Sequence, residues 1–256
     1  MEDLEERLVS DEEGRVRERH HLLAGQLHGE CVSYDALGRV ARTSSFREGR
    51  LDGEAVSYDA AGLVRERCHF RDGVLDGELT IHDERGWLRQ RMTYAAGLPE
   101  GECVIFSEGR PVAFIHYRQG RVEGETRVFH LSGGESVRSA YKDGQLEGES
   151  TWYDPEGKVV RRSQYRAGKL QGENLEYYPS GVLREKATYE DDKIQGTVLR
   201  YDPEGRLKEK QTYRDGKPLG PPIEYDAKGR PKKQSAQPAG AKPRPRRWWK
   251  LGRQAT

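Results

Sequence analysis

The sequence predicts an all-β chain: an elongated single antiparallel meander of about nine tandem 24-residue β-hairpin repeats. Three observations lead there. Glycines recur at Gly25, Gly49, Gly73, Gly97, Gly120, Gly144, Gly168 and Gly216, with Asp192 in the same slot, spaced by 24 residues save for one step of 23. Each period holds two chain-reversal signals, too close together for a helix to fit between them. The composition, 34% hydrophobic and 34% charged with 30 glycines, cannot fill the core of a compact globule of 256 residues, whereas a thin array needs less core.

Each repeat opens on a reversal such as "REG", "RDG" or "KDG", where Gly supplies the φ > 0 that the turn requires. The first strand follows, reading Leu-x-Gly-Glu and ending near a Tyr, as from Leu146 to Tyr153. The second reversal is Asp-x-x-Gly, seen as "DPEG" at Asp154 to Gly157 and again at Asp202 to Gly205. Asp starts this turn, Pro supplies its fixed φ, and Gly closes the hairpin with a bulge. The second strand alternates aliphatic, polar, small and aromatic, as in Val40, Arg42, Ser44 and Phe46. Placing Tyr34 opposite Val40 then predicts one face carrying aromatics near both long edges, together with Glu30 and Val32, and an opposite face that is mostly polar. At roughly 4.8 Å per strand, about eighteen strands extend for roughly 85 Å before twist shortens the path.

The chain divides into an acidic N-terminal segment and partial repeat at 1–21, the repeat array at 22–229, and a tail at 230–256. The tail holds nine Lys or Arg and no acid. The 44 basic residues of the chain less those nine leave 35 against 43 acidic in the body, so a net charge of +1 conceals a charge dipole. Its Pro-rich composition predicts disorder when free. Arg244, Arg246, Arg247, Trp248, Trp249 and Lys250 form a cluster able to meet an anionic membrane or nucleic acid, although a solvated terminus explains it equally. The acidic N-terminus lacks the apolar run of a secretory signal, and Cys31, Cys68 and Cys103 fall singly in different repeats. A cytoplasmic setting with reduced thiols is the expectation.

The repeated Tyr-x-x-Gly-x-Leu-x-Gly-Glu…Tyr-Asp-x-x-Gly pattern resembles the bacterial MORN-like repeat of the YwqK-family antitoxins, over about Leu22 to Gly229. The wider MORN pattern has a Trp after the first Gly, where this chain has Leu51, Leu75 or Leu170, and the last two units replace the Glu by Thr197 and Pro221. The resemblance implies a cytosolic, non-catalytic protein that binds another protein, often a toxin encoded nearby. The residues add no sign of catalysis: the seven His show no zinc-ligand spacing, no nucleophile recurs with them, and no cofactor motif occurs.

Two surfaces stand out. Glu30, Glu54, Glu78, Glu102, Glu125, Glu149 and Glu173 form an acidic row that either receives a basic partner or pairs within the sheet, with Glu54 set against Arg42, Glu173 against Arg161 and Glu149 against Val137. The nominally polar face turns apolar over repeats three to six: counting alternate positions gathers Leu79, Ile81, Trp87, Cys103, Ile105, Val112, Phe114, Val128 and Trp152 there. The period breaks at "FSEGR" in the same region. An exposed patch of this kind marks a partner surface unless the N-terminal segment, with Leu4, Leu8 and Val9, or the tail covers it. The leading function is a protein-binding repeat protein, an antitoxin or immunity protein that neutralises a basic toxin. The alternative is a scaffold whose tail docks on an anionic surface.

Overall fold

The computed structural model describes residues 4–232. Within that range every regular element is a strand, and no helix is long and apolar enough to cross a membrane. The strands run from Glu5–Ser10 to Ile223–Glu224 and join in chain order into one antiparallel sheet of 24 strands, several of them two-residue pieces split off at bulges. Every extensive contact between strands is with a neighbour in the meander, so the described sheet is a single layer.

The two reversals differ in chemistry. The first is a two-residue loop with left-handed φ at both positions, as at Glu48 (φ 49°) and Gly49 (φ 78°) between the paired Arg47 and Arg50. This is the type I′ turn, whose twist matches that of the flanking strands. Each such turn is tied to the preceding repeat. Gly73 N–H donates to the Leu51 carbonyl at 2.7 Å and Gly144 N–H to that of Val122 at 2.8 Å. From Asp52 to Gln195, the residue just before the second Gly adds a second tie: Glu123 accepts from Asp143 N–H at 2.8 Å, Glu147 from Ala167 N–H at 2.8 Å, and Gln171 from Asp191 N–H at 3.1 Å. At Asp192, which stands in the Gly slot with φ 66°, the carboxylate takes Leu170 N–H at 2.7 Å.

The second reversal is held by its own Asp. Asp35 Oδ1 accepts from the N–H of Leu37 at 2.8 Å and of Arg39 at 3.0 Å, while Gly38 N–H donates to the Asp35 carbonyl. The 23-residue step is explained at "FSEGR": there a two-residue loop, Glu108 and Gly109 with φ 51° and 75°, joins the paired Ser107 and Arg110.

Tyr34 does pair with Val40, but the next residue pair is Ser33 with Arg42. Ala41 is an extra residue on its strand, and the same one-residue bulge recurs at Arg65, Arg89, Val112, Ser136, Val160, Arg184 and Lys208. Each bulge shifts the alternation by one. Residues 42, 44 and 46 therefore share a face with Cys31 and Ser33, and not with Glu30 and Val32, which lie opposite Ser45 and Thr43. The aromatics divide accordingly. Phe46, Phe70, Tyr94, Tyr117, Tyr141, Tyr165, Tyr189 and Tyr213 form a ladder on one face, hereafter the ladder face. Tyr34, Tyr58, Phe106, Phe129 and Tyr153 lie with the Glu row on the other, the Glu face.

A second bulge explains the second Gly of each repeat. Between the pairs Ser44–Ala55 and Phe46–Leu51, Asp52, Gly53 and Glu54 crowd against Ser45. Gly53 has φ 110°, and a Cβ there would lie 2.9 Å from the Ser45 Cβ; Gly77 repeats this against His69, with φ 123° and 2.9 Å. Without a second layer, burial goes to small residues roofed by long neighbours. Cys103 and Ser163 are fully buried on the ladder face, and Val104 and Val56 nearly so on the Glu face.

Candidate functional site

Register places one continuous row across the ladder face. Its centre is Ile81, Gln90, Ile105, Ala113, Val128, Val137 and Trp152, each paired with the next across neighbouring strands. Toward the N-terminus the row continues through Glu66 and Ser57 to Arg42, and toward the C-terminus through Arg161, Glu176 and Glu185 to Arg200. The ends are thus charged and the middle apolar. Val128 remains 36% exposed, and Ile81, Ile105, Val137 and Trp152 are half-buried. The deeper row beside it is small and closed: Leu79, Met92 and Cys103 are buried, and burial pushes the Cys103 thiol pKa up. The phenols of Tyr141, Tyr165 and Tyr189 on the aromatic ladder are likewise pushed up by burial.

The C-terminal flank is organised by a network of contacts. The Arg161 guanidinium lies 4.5 Å from the Trp152 ring centroid, and its Nε donates to Ser163 Oγ at 2.9 Å and Asn174 Oδ1 at 3.1 Å. Ser163 O–H donates in turn to Asn174 Oδ1 at 2.6 Å. Further on, Arg200 sits between Glu185, at 2.6 Å, and Glu209. Burial works against its charge, but the two carboxylates outweigh that and raise its pKa.

Not every residue grouped by simple alternation meets here. Leu79, Ile81, Ile105, Val128 and Trp152 share the ladder face, Leu79 being closed off in the deeper row. Phe114 does not: the bulge at Val112 turns it to the Glu face, opposite Val104 and Arg127, where its ring meets Phe129 edge-on at 5.7 Å. Val112 is the bulge residue itself. Trp87 precedes its strand, 42% exposed at the Asp-turn edge beside Arg85. Val137, a centre residue of the row, is missed by simple alternation because the bulge at Ser136 moves it. Leu4, Leu8 and Val9 do not cover the patch, since Glu5–Ser10 pairs with Val16–Leu23 at the end of the sheet and stays exposed. The tail cluster Arg244, Arg246, Arg247, Trp248, Trp249 and Lys250 lies outside the described residues.

All seven glutamates of the acidic row are exposed on the Glu face. Most of them find partners on their own or a neighbouring strand, but other partners than alternation suggests. Glu54 meets Arg67 at 2.7 Å rather than Arg42, Glu173 meets Lys186 rather than Arg161, and Glu149 accepts from Thr151 and Gln164 and does not face Val137. Glu30 meets Arg19 at 3.2 Å and Glu125 meets Arg127 at 3.5 Å. Among the described residues Glu78 and Glu102 make no ion pair. The row is therefore a mixed-charge surface in which most carboxylates are answered, each exposed pair being worth only a few tenths to about 1 kcal/mol.

Two shallow hollows of about 200 and 190 Å³ lie at Glu54, Arg67, His69 and Glu78, and at Glu102, Phe114, His116 and Glu125. Both are smaller than the roughly 300 Å³ at which small-molecule sites begin. Among the described residues no three His, Cys, Asp or Glu cluster so as to hold a metal. The geometry offers a surface rather than a pocket.

In sequence, the MORN repeat variant family matches three tandem stretches, residues 141–167, 170–191 and 194–215. No curated protein matches the chain. Among solved structures, a chain of a mutant Tc holotoxin pore from Photorhabdus luminescens is 12% identical, with 82% of this chain and 13% of that chain covered and a TM-score of 0.22. A TcdB2–TccC3 crystal structure is 11% identical, with 88% and 15% covered and a TM-score of 0.22. This chain spans only about an eighth to a seventh of those chains. Scores so low say nothing about its fold or partners.

Proposed function

We propose that the chain is a non-catalytic protein-binding repeat protein whose partner surface is the apolar centre of the ladder face. The finer reading is an antitoxin or immunity protein that neutralises a basic protein toxin in the cytoplasm. One observation carries the surface: Ile81, Ile105, Val128, Val137 and Trp152 form a half-exposed apolar row on a sheet without a second layer, with an Arg161–Trp152 stack at its end. Apolar surface of this extent, holding an aromatic anchor and an ordered Arg, is the composition in which interface energy concentrates. The net negative charge of the body and the exposed carboxylates of Glu78 and Glu102 favour a basic partner by speeding the encounter.

The test is an affinity measurement on a partner recovered with the full chain as bait. Trp152→Ala, with an unchanged melting curve, is expected to weaken binding by roughly thirty-fold or more, the loss of an anchor worth about 2 kcal/mol. Phe114→Ala, on the Glu face, is expected to bind within about two-fold of the parent. If Phe114→Ala loses binding and Trp152→Ala does not, the partner lies on the Glu face and this assignment is wrong.

A further inference from the structure

We propose that, when no other partner is present, the ladder face is covered by a second copy of this chain, packed face to face about a two-fold axis at Ala113. The inference rests on the reading of this face as a partner surface and names its occupant.

The row is self-complementary about Ala113. A two-fold axis lying in the interface and parallel to the strands reverses the row while keeping each long edge beside its counterpart. One step from Ala113 in each direction stand Ile105 and Val128, two steps out Gln90 and Val137, and three steps out Ile81 and Trp152, so apolar residues face apolar residues at every step but the second. Four steps out stand Glu66 and Arg161, and six steps out Arg42 and Glu185. The exposed Glu66 thus meets Arg161, while at six steps Arg42 meets a Glu185 already held by Arg200, and symmetry makes each pair twice. No other register centres the apolar segment while matching the flanking charges in this way. The aromatic ladder meets its own copy along the adjoining edge.

The size is adequate. From Glu66 to Arg161 the row crosses eight strand spacings, roughly 40 Å at about 4.8 Å each, and the face is about 20 Å wide. This gives roughly 800 Å² per copy, the extent of a standard stable interface. Aligned packing of two twisted sheets at about 10 Å is the geometry of a β-sandwich, which supplies the missing second layer. Among the described residues Glu66 makes no ion pair, its carboxylate meeting only the Cys68 thiol at 4.0 Å, and it is exposed.

The decisive property is distance. Within one copy, Glu66 and Arg161 stand roughly 40 Å apart and cannot influence each other, so any coupling between them must cross between copies. Sedimentation velocity on the full chain over a range of concentrations is expected to show a monomer–dimer equilibrium. Glu66→Arg and Arg161→Glu should each weaken the dimer at least ten-fold, and the double exchange E66R/R161E should restore at least half of the loss on a logarithmic scale. Val137→Asp should leave only monomer with a parental melting curve. A parent that is monomeric throughout, or a double exchange no more dimeric than either single variant, overturns the proposal. In that event, loss of another protein's binding on Val137→Asp would still uphold the surface reading, whereas unchanged binding would remove both.

Discussion

At the scale of single residues, the second Gly of the repeat is the most constrained position where it meets the neighbouring strand closely, at Gly53 and Gly77. Gly77 combines φ 123° with a backbone approach that would put a Cβ 2.9 Å from His69 Cβ, whereas Gly157, in the Asp turn, has φ 81° and open space around it. Alanine at either position meets the left-handed penalty of roughly 1–2 kcal/mol, but only at 77 must the neighbouring strand also move. Gly77→Ala is therefore expected to lower the melting temperature distinctly more than Gly157→Ala. Equal shifts would show that the ladder yields at the bulge without cost. The same contrast explains why Asp192 is tolerated in a Gly slot: its φ of 66° is a turn value that Asp adopts, and its carboxylate gains the Leu170 N–H.

At the scale of the element, each hairpin is joined to the next by the acidic or amide residue before the second Gly. Replacing Glu147 by Ala leaves Ala167 N–H without its 2.8 Å acceptor, and an expected loss of about 1 kcal/mol should appear as a lower denaturation midpoint at unchanged slope. Glu147→Gln should stay within a few tenths, because Gln171 and Gln195 do the same work in later repeats. A midpoint for Glu147→Gln as low as for Glu147→Ala would show that charge, not hydrogen bonding, matters there. Strand order and both turn positions were legible in the sequence because Asp, Gly and Pro carry the turn chemistry themselves. Face membership was not. The bulge residues Ala41, Arg65, Val112, Ser136 and Lys208 share no chemistry, so nothing in residue type announces the parity shift that sends Phe114 to the Glu face and brings Val137 into the row. The first-strand candidates Ile81, Ile105, Val128 and Trp152 were legible because the extra residue of each bulge falls on the second strand, which leaves the alternation along the first strand intact.

At the scale of the whole molecule, a single-layer array has no central core to dominate its stability, so a feature that recurs along it governs how the protein responds to its surroundings. The turn carboxylates are such a feature. The Arg39 backbone N–H, with the Arg39 guanidinium, holds Asp35 below the ordinary carboxylate value, and Arg230 does the same for Asp226. At Asp11 burial alone would raise the pKa, but the Arg15 N–H and guanidinium outweigh it and bring it to about 2. Asp83 and Asp202 are shifted downward as well, again against burial. A depressed carboxylate contributes stability that is complete above its unfolded value near 3.9 and is lost as pH falls through its folded value. The melting temperature is therefore expected to change little on account of these groups from pH 7 to about 5, and then to fall between about pH 4 and 2. Because these turns lie toward the two ends of the sheet, Asp11, Asp35 and Asp83 on one side and Asp202 and Asp226 on the other, the decline should begin from both ends rather than from the middle. Asp35→Asn and Asp226→Asn together should lower the melting temperature at pH 7 while making the fall from pH 4 to 2 shallower, since a neutral amide has no proton to gain. A double variant whose acid-induced fall is as steep as the parent's would place the acid sensitivity elsewhere, in the exposed Glu–Arg pairs of the Glu face.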